Sequence, residues 1–332
     1  MLRVPPKTAV PPEKFKAVFP TLKPTAYNDP AAVRGSNNIR SIAWNPLGTW
    51  VATGSADKTL RVWNVDKPNV RQSTELKGHS GPIEKIAFNP VKELELCSVS
   101  SDGTVKFWDV RTRTLINEVK GLGETFTLAW SADGESLIVG NKADILYVLS
   151  PTQNTPVSSH QQDVPTNQVV FCWSKERIYV TTGEGRTRIL SFPEFNPVYT
   201  YDWKDPAEAE MKLTGHTSSC ISAALHPYNK YLVTGGTDAL ISIWDTTEWN
   251  CVRTITKMVG PVRSISLSFC GNYVAGGSDE GNGLEIAYIE TGEPICTFKT
   301  ASPSPVVAWA PNRYALAYSD LGTLRIISAG AK

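Results

Sequence analysis

Apolar residues in this chain come in short bursts, some alternating with polar residues and some continuous, and each burst stops at Gly, Asp, Pro, Asn or Ser. Such a pattern predicts brief β-strands divided by tight turns, and no helix is required to account for it. The bursts repeat. Runs of the form apolar, small, apolar recur as Ile42-Ala43-Trp44, Ile86-Ala87-Phe88, Leu128-Ala129-Trp130, Phe171-Cys172-Trp173, Ala223-Ala224-Leu225, Ile265-Ser266-Leu267 and Val307-Ala308-Trp309. Their third residues are spaced by 44, 42, 43, 52, 42 and 42 positions, which makes seven units. About 20 residues after each marker comes a second apolar run, as in Leu60-Arg61-Val62-Trp63 and Ile241-Ser242-Ile243-Trp244. Each unit reads as four strands, and a four-stranded sheet of this size cannot bury both faces alone. The expected fold class is therefore all-β: a seven-bladed propeller in which the sheets stack face to face in a ring.

The spacing, with Gly-His openings and Trp-Asp closings, resembles the WD-repeat family. Gly78-His79 leads to Trp108-Asp109, and Gly215-His216 leads to Trp244-Asp245. The resemblance implies two hydrogen-bonded tetrads, His79 with Ser98, Asp102 and Trp108, and His216 with Thr234, Asp238 and Trp244. Unit one keeps Thr53, Asp57 and Trp63 without a Gly-His. Units three, four, six and seven put Leu149, Leu190, Ala287 and Ile327 where Trp is expected.

The final unit runs out of chain at Lys332 before a fourth strand. An unpaired edge invites aggregation, so the missing strand is expected from residues 26–36, within a propeller spanning 26–332. Residues 1–25 hold six prolines, with Phe15, Phe19 and Leu22 among basic residues. They read as an extended, polyproline-like arm, either a disordered tail or a partner-binding element. The long spacing is assigned to an inserted acidic loop at 201–212.

Composition narrows the function. With 33 Lys plus Arg against 32 Asp plus Glu, the net charge of +1 offers no bulk electrostatic grip on nucleic acid or an anionic membrane. No run of 18 apolar residues is present, and no apolar leader follows Met1. The six cysteines are widely spaced singles, which fits reduced thiols inside a cell. Phosphate loops, nucleophile elbows and HExxH are missing, and the histidines have no metal-ligand spacing. No catalytic residue, metal or cofactor is expected, and the chain is not expected to be an enzyme. Lys and Arg at Arg61, Lys106, Arg188 and Arg325 read as solvated strand positions, leaving RNA contact as a secondary reading. The loops entering the first strand and joining the second to the third should carry Lys58, Glu124, Lys142, Arg186, Asp279 and Asp320. This mixed-charge rim suits protein docking.

Longer strings resemble one branch of the family. They include Phe107-Trp108-Asp109-Val110-Arg111-Thr112, Val139-Gly140-Asn141-Lys142-Ala143-Asp144, Ile189-Leu190-Ser191-Phe192-Pro193-Glu194-Phe195, and Asp238-Ala239-Leu240-Ile241-Ser242-Ile243-Trp244-Asp245. Cys251-Val252-Arg253, Pro261-Val262-Arg263-Ser264 and Ile286-Ala287-Tyr288-Ile289-Glu290-Thr291-Gly292 continue the series. In order and spacing, over roughly residues 37–329, they are similar to the WD-repeat subunits of the THO/TREX assembly, the subunit-three family. The resemblance implies a nuclear, non-catalytic scaffold in a hetero-oligomer that couples transcription to mRNA export. It would dock on large helical THO subunits and reach a DEAD-box RNA helicase and export adaptors through them. A WD-repeat hub in translation, ubiquitination or nuclear-pore traffic is the alternative. The arm and the insertion depart from the family pattern.

Overall fold

Val, Ile, Leu and aromatic residues fill the middle strands of every repeat, and turn residues sit between them, so each repeat closes as an antiparallel sheet. Blade two shows the plan, with strands Ile83–Phe88, Glu95–Ser100, Val105–Asp109 and Thr114–Val119 hydrogen-bonded in sequence order. The computed structural model describes residues 9–27, 38–66, 73–198 and 210–328. Among them are seven such four-stranded sheets.

The second strand of each blade is buried along nearly its whole length, which explains why it is apolar rather than alternating. Its even and odd residues face different neighbours. Val51 packs into the cluster shared with blade seven, whereas Ala52 packs into the cluster shared with blade two. The described residues form seven apolar clusters, one for each blade-to-blade interface. Each fully buried Leu or Ile in them, such as Leu96 or Ile178, is worth about 1.5–3 kcal/mol. The first strands pack side by side around the centre, and at Gly54 any side chain would strike Ile83 of the next blade, with its Cβ 2.7 Å away.

Small hydroxyls and amides stitch this inner ring. Ser41 Oγ accepts from Ile86 N at 3.1 Å, Ser222 Oγ donates to Val262 O at 2.7 Å, and Trp309 N donates to Ser266 Oγ at 2.8 Å. Between blades four and five, Gln168 bonds both to Ala223 O and from Ala223 N, at 3.0 and 3.2 Å.

The register corrects one marker. Phe171 pairs with Ile178 as Trp44 pairs with Val51 and Trp130 with Leu137, so Phe171, not Trp173, ends the first strand of blade four. Trp173 lies in the following turn, where its indole N–H donates to His226 O of blade five at 2.9 Å. An aromatic residue at both places made them look alike in the sequence, but Phe171 is buried and Trp173 is exposed.

Ring closure comes from the N-terminal side, but not as placed from the sequence. The fourth strand of blade seven is Thr25–Tyr27, paired antiparallel with Thr323–Ser328 through Thr25 to Ile326 and Tyr27 to Leu324. It begins at the end of the proposed arm, and the remainder of the expected closing segment, 28–36, lies outside the described residues.

The arm itself is neither extended nor loose between Pro12 and Thr21. A short helix, α1 (Pro12–Val18), runs into a 3-10 turn, Phe19–Thr21. Pro12 tolerates the first helical position because its missing N–H would have had no partner there. Tertiary contacts override the proline content. Phe15 and Phe19 are 3% and 2% exposed and enter the cluster between blades six and seven. Phe15 stacks on Tyr273 with centroids 3.9 Å apart, and Phe19 meets Phe298 edge-on at 5.6 Å. Two hydroxyls fix the backbone ahead of the helix, with Val10 N donating to Tyr314 Oη and Tyr273 Oη donating to Val10 O, both at 3.0 Å.

Replacing both Phe15 and Phe19 by Ala should remove this second clasp while leaving the Thr25–Tyr27 strand. Each Phe→Ala change in a packed core costs about 3–5 kcal/mol. A marked fall in melting temperature and looser limited-proteolysis behaviour are expected; an unchanged melt would show that the three-residue strand closes the ring alone.

Candidate functional site

A seven-bladed disc offers two loop-built faces, and what each can do depends on which polar groups are left over after the fold has used its own. In blade two, Trp108 Nε1 donates to Ser98 Oγ at 2.9 Å, Ser98 Oγ lies 2.7 Å from His79 Nε2, and His79 Nδ1 lies 3.1 Å from Asp102 Oδ2. Asp102 also accepts from Ser80 N at 2.8 Å and from the Thr104 hydroxyl at 2.7 Å. Burial works against its charge, yet the bonds from Thr104 and Ser80 and the nearby imidazole outweigh it and hold the carboxyl well below the usual range. Burial pushes the His79 imidazole down, against the pull of Asp102. A neutral ring donating through Nδ1 and accepting at Nε2 satisfies every member of the chain.

Blade five repeats the arrangement with Trp244 Nε1 to Thr234 Oγ1 at 2.9 Å, Thr234 to His216 Nε2 at 2.9 Å, and His216 Nδ1 to Asp238 at 3.1 Å. Blade one differs. Trp63 is buried, and its Nε1 has no hydrogen-bond partner among the described residues. Leu149, Leu190, Ala287 and Ile327 occupy the equivalent positions in the other blades and are buried against the second strand.

The basic strand residues correct the sequence reading. Arg61 and Lys106 are buried, and each faces an acid on the fourth strand of its own blade. Arg61 Nη2 lies 3.6 Å from Glu75, with Asp57 3.0 Å from Nη1, and Lys106 pairs with Glu118. The Lys106 ammonium holds the Glu118 carboxyl below its ordinary value. Arg188 bonds Glu210 at 2.6 Å, and Arg325 Nε lies 2.9 Å from Asp320. These cations are spent within the blades: Arg61 and Lys106 reach acids on the adjacent fourth strand, Arg188 reaches Glu210 just ahead of it, and Arg325 reaches back to Asp320 on the second strand. Of the acidic insertion, Glu210 thus belongs to the fold; residues 201–209 lie outside the described part.

The face carrying the turns between second and third strands, termed top here, holds the predicted rim residues at scattered points. Lys58 is exposed at a turn with φ of 70° and has no ion pair among the described residues. Glu124 pairs with Lys142 on blade three, Arg186 lies 3.8 Å from Glu184 on blade four, and Arg263 Nε donates to Asp279 at 2.7 Å on blade six. Asp320 is no rim residue. It is 4% exposed and accepts from Ala301 N and Ser302 N, both at 3.1 Å, tying the incoming loop of blade seven as Asp102 ties that of blade two.

The first strands hold residues that pattern reading missed. Six of them carry a register shift next to their first residue, at Arg40, Glu84, Phe126, Asn167, Ile221 and Arg263. A bulged residue is freed from the alternation, so its side chain can cross to a neighbouring blade. Arg40 pairs with Glu84, and Asn167 Nδ2 donates to Cys220 O at 2.7 Å. The only signal in the sequence was a polar residue one place early in four of the six bursts, Arg40, Glu84, Asn167 and Arg263; Phe126 and Ile221 carried none.

The opposite, bottom face opens into a recess of about 330 Å³ at the mouth of the central channel, framed by Phe88, Trp130, Phe171, Trp173 and Leu225. Trp130 Nε1 donates to Ala87 O at 3.3 Å, which fixes one wall. His226, in the adjoining turn of blade five, accepts from Tyr228 N at 3.1 Å, and burial followed by the Lys230 charge brings its pKa down to about 4. His160 stacks on Phe195 at 4.0 Å. All six cysteines are free thiols, and burial raises Cys220 and Cys296 to about 12. Among the described residues no group of His, Cys, Asp and Glu could hold a metal ion, and no helix is long and apolar enough to cross a membrane.

Four-stranded blades, two complete His-Ser/Thr-Asp-Trp tetrads and two loop-built faces define a WD-repeat β-propeller. The family model described as WD domain, G-beta repeat, matches residues 30–64, 70–109 and 208–245. Among curated proteins, THO complex subunit 3 of Arabidopsis thaliana is 30% identical over 283 residues, covering 85% of this chain and 86% of that protein. The chain belongs to the THO complex subunit 3 family. WD repeat-containing protein AAC3 of Dictyostelium discoideum is 31% identical over 249 residues, 69% of this chain and 51% of that one. The transcriptional corepressor LEUNIG_HOMOLOG of Arabidopsis thaliana is 26% identical over 219 residues, 64% and 25% of the two chains.

Two measurements probe this polar framework. Trp108→Phe and Trp63→Phe delete the same volume from buried positions, but only the first removes a hydrogen bond, to Ser98 Oγ, so its loss in denaturant melts should exceed that of Trp63→Phe by about 0.5–1.5 kcal/mol. Equal losses would contradict the tetrad's role. For pH, the unfolded imidazole takes a proton near pH 6.5, while folded His226 resists until about 4. Stability is therefore complete above about 6.5 and falls as pH drops toward 4, by up to ~1.4 kcal/mol per unit. His79 and His160 act in the same direction. His226→Gln should flatten the dependence of melting temperature on pH over that window.

Proposed function

We propose that the chain is a non-catalytic scaffold subunit of a nuclear THO/TREX assembly that couples transcription to mRNA processing and export. It docks on large helical THO subunits and reaches the DEAD-box RNA helicase and export adaptors through them. The observation that carries this reading is the breadth of its likeness to THO complex subunit 3 of Arabidopsis thaliana, 85% of this chain and 86% of that one. A match confined to repeat signatures would follow the WD positions alone, whereas this one also spans blades that lack the tetrad.

The physical picture supports adhesion. A ring whose blades bury their charged residues in internal pairs is stiff, and a stiff disc loses little conformational entropy on docking. Lys58, Glu124, Lys142, Arg186 and Asp279 are the proposed contact points on the top face, where exposed pairs can exchange partners with little desolvation. RNA contact is secondary, since Arg61, Lys106, Arg188 and Arg325 are engaged within the fold.

Purification of the protein at its endogenous level, followed by mass spectrometry, tests the reading. Large THO subunits should appear in stoichiometric amount, and a set of translation, ubiquitin-ligase or nuclear-pore partners in their place would overturn it.

A further inference from the structure

Burial requirements leave one apolar feature of the bottom face without an internal use. The recess of about 330 Å³ passes from Ala87, Phe88 and Pro90 of blade two through Leu128, Trp130 and Ala132 of blade three to Val169 and Phe171 of blade four. Its volume lies at the lower end of that of pockets which take a compact ligand group. Val91, next to Pro90 at the lip, is 64% exposed, in a turn where a polar residue would cost the fold nothing.

The rim is built rather than incidental. Asn89 Nδ2 donates to Gly134 O at 2.9 Å, joining the turns of blades two and three. Lys175 Nζ donates to Asp133 at 2.6 Å, joining those of blades three and four. Trp130 and Trp173 each commit their indole N–H to a neighbouring blade. A cavity whose walls are cross-braced in this way does not collapse when empty, which lowers the cost of filling it.

The charges around it are uneven. In these three turns Asp133 is matched by Lys175 and Glu95 by Lys92. Glu93, Glu135 and Glu176 are exposed and have no ion-pair partner among the described residues, against one such cation, Arg177. The recess is apolar, and the unpaired charge on the three turns beside it is mainly acidic.

We propose that this bottom-face recess is a docking pocket for a short segment of a partner protein that inserts one large aliphatic or aromatic side chain and flanks it with Lys or Arg. The anchor fills the space between Phe88, Trp130 and Phe171. The basic flanks meet Glu93, Glu135 and Glu176. The proposal deepens the scaffold reading and rests on it only for the identity of the partner; it places a second docking point on the face opposite the rim residues.

The test uses the full chain and three fluorescein-labelled peptides of one length: a central Leu-Phe flanked by Lys and Arg, the same peptide with Ser-Ser at the centre, and the same peptide flanked by Glu. Fluorescence anisotropy should show saturable binding of the first and at least about tenfold weaker binding of the other two. Ala132→Trp, which fills the recess, and Glu93→Lys with Glu135→Lys, which reverses acidic charge at exposed sites, should each weaken the first peptide by about tenfold or more. The charge reversal should improve binding of the Glu-flanked peptide. Matching circular dichroism melts certify that the variants fold, and Val91→Lys serves in place of Ala132→Trp if that variant melts early. Binding absent up to roughly 1 mM, or equal for all three peptides, or indifferent to the variants, overturns the pocket. Loss of THO subunits from the endogenous purification would instead reject the scaffold's membership and leave the peptide result standing.

Discussion

A four-stranded blade with apolar residues on both faces cannot exist by itself, and this single constraint organises the molecule. Each blade must be covered on two sides, every cover is another blade, and the requirement ends only when the last meets the first. The seven interfacial clusters are the energetic content of the ring. Tetrads and inner-ring hydroxyls contribute less than the clusters in free energy, but they fix register, since an amide or hydroxyl that misses its partner strands a buried group.

The clasp between blades six and seven follows from the same constraint. Among the described residues three pair on the outer edge of blade seven, Thr25 to Tyr27, and they leave Ile327 of that edge without a partner strand. Phe15 and Phe19 supply the missing apolar cover, and the tyrosines Tyr273 and Tyr314 satisfy the backbone of the chain that brings them. The N-terminal segment therefore belongs to the core of the propeller rather than to its surroundings.

Charge is used in two ways. Inside the blades, Arg61 and Lys106 are locked to acids on the fourth strand and Arg188 to Glu210 just ahead of it, where loss of one partner leaves an uncompensated ion in a poorly solvated site. On the faces, exposed pairs such as Glu124 with Lys142 and Asp279 with Arg263 bring modest benefit, and such pairs can be exchanged for those of another protein. This division explains how a chain of nearly zero net charge can be rigid within and adaptable at its loops. Membership of the THO complex subunit 3 family gives that architecture a biological setting, and the propeller supplies the docking area such a setting needs.

Seven blades, their order and the positions of the two tetrads were legible in the sequence, because alternation of apolar residues, Gly and Asp turns and the His-to-Trp spacing are local properties written at fixed offsets. The destination of Phe15 and Phe19 was not, because a proline-rich stretch carries no mark of a cleft formed by residues some 250–300 positions away. Nor was the burial of Arg61, Lys106 and Asp320, since a charged residue on a strand looks the same whether it faces water or a partner inside the blade. The bulged residues and the bottom recess likewise arise only when first strands converge on one axis. Local pattern determined how many sheets this protein makes; the closing of the ring decided which polar groups they consume and which surfaces they leave.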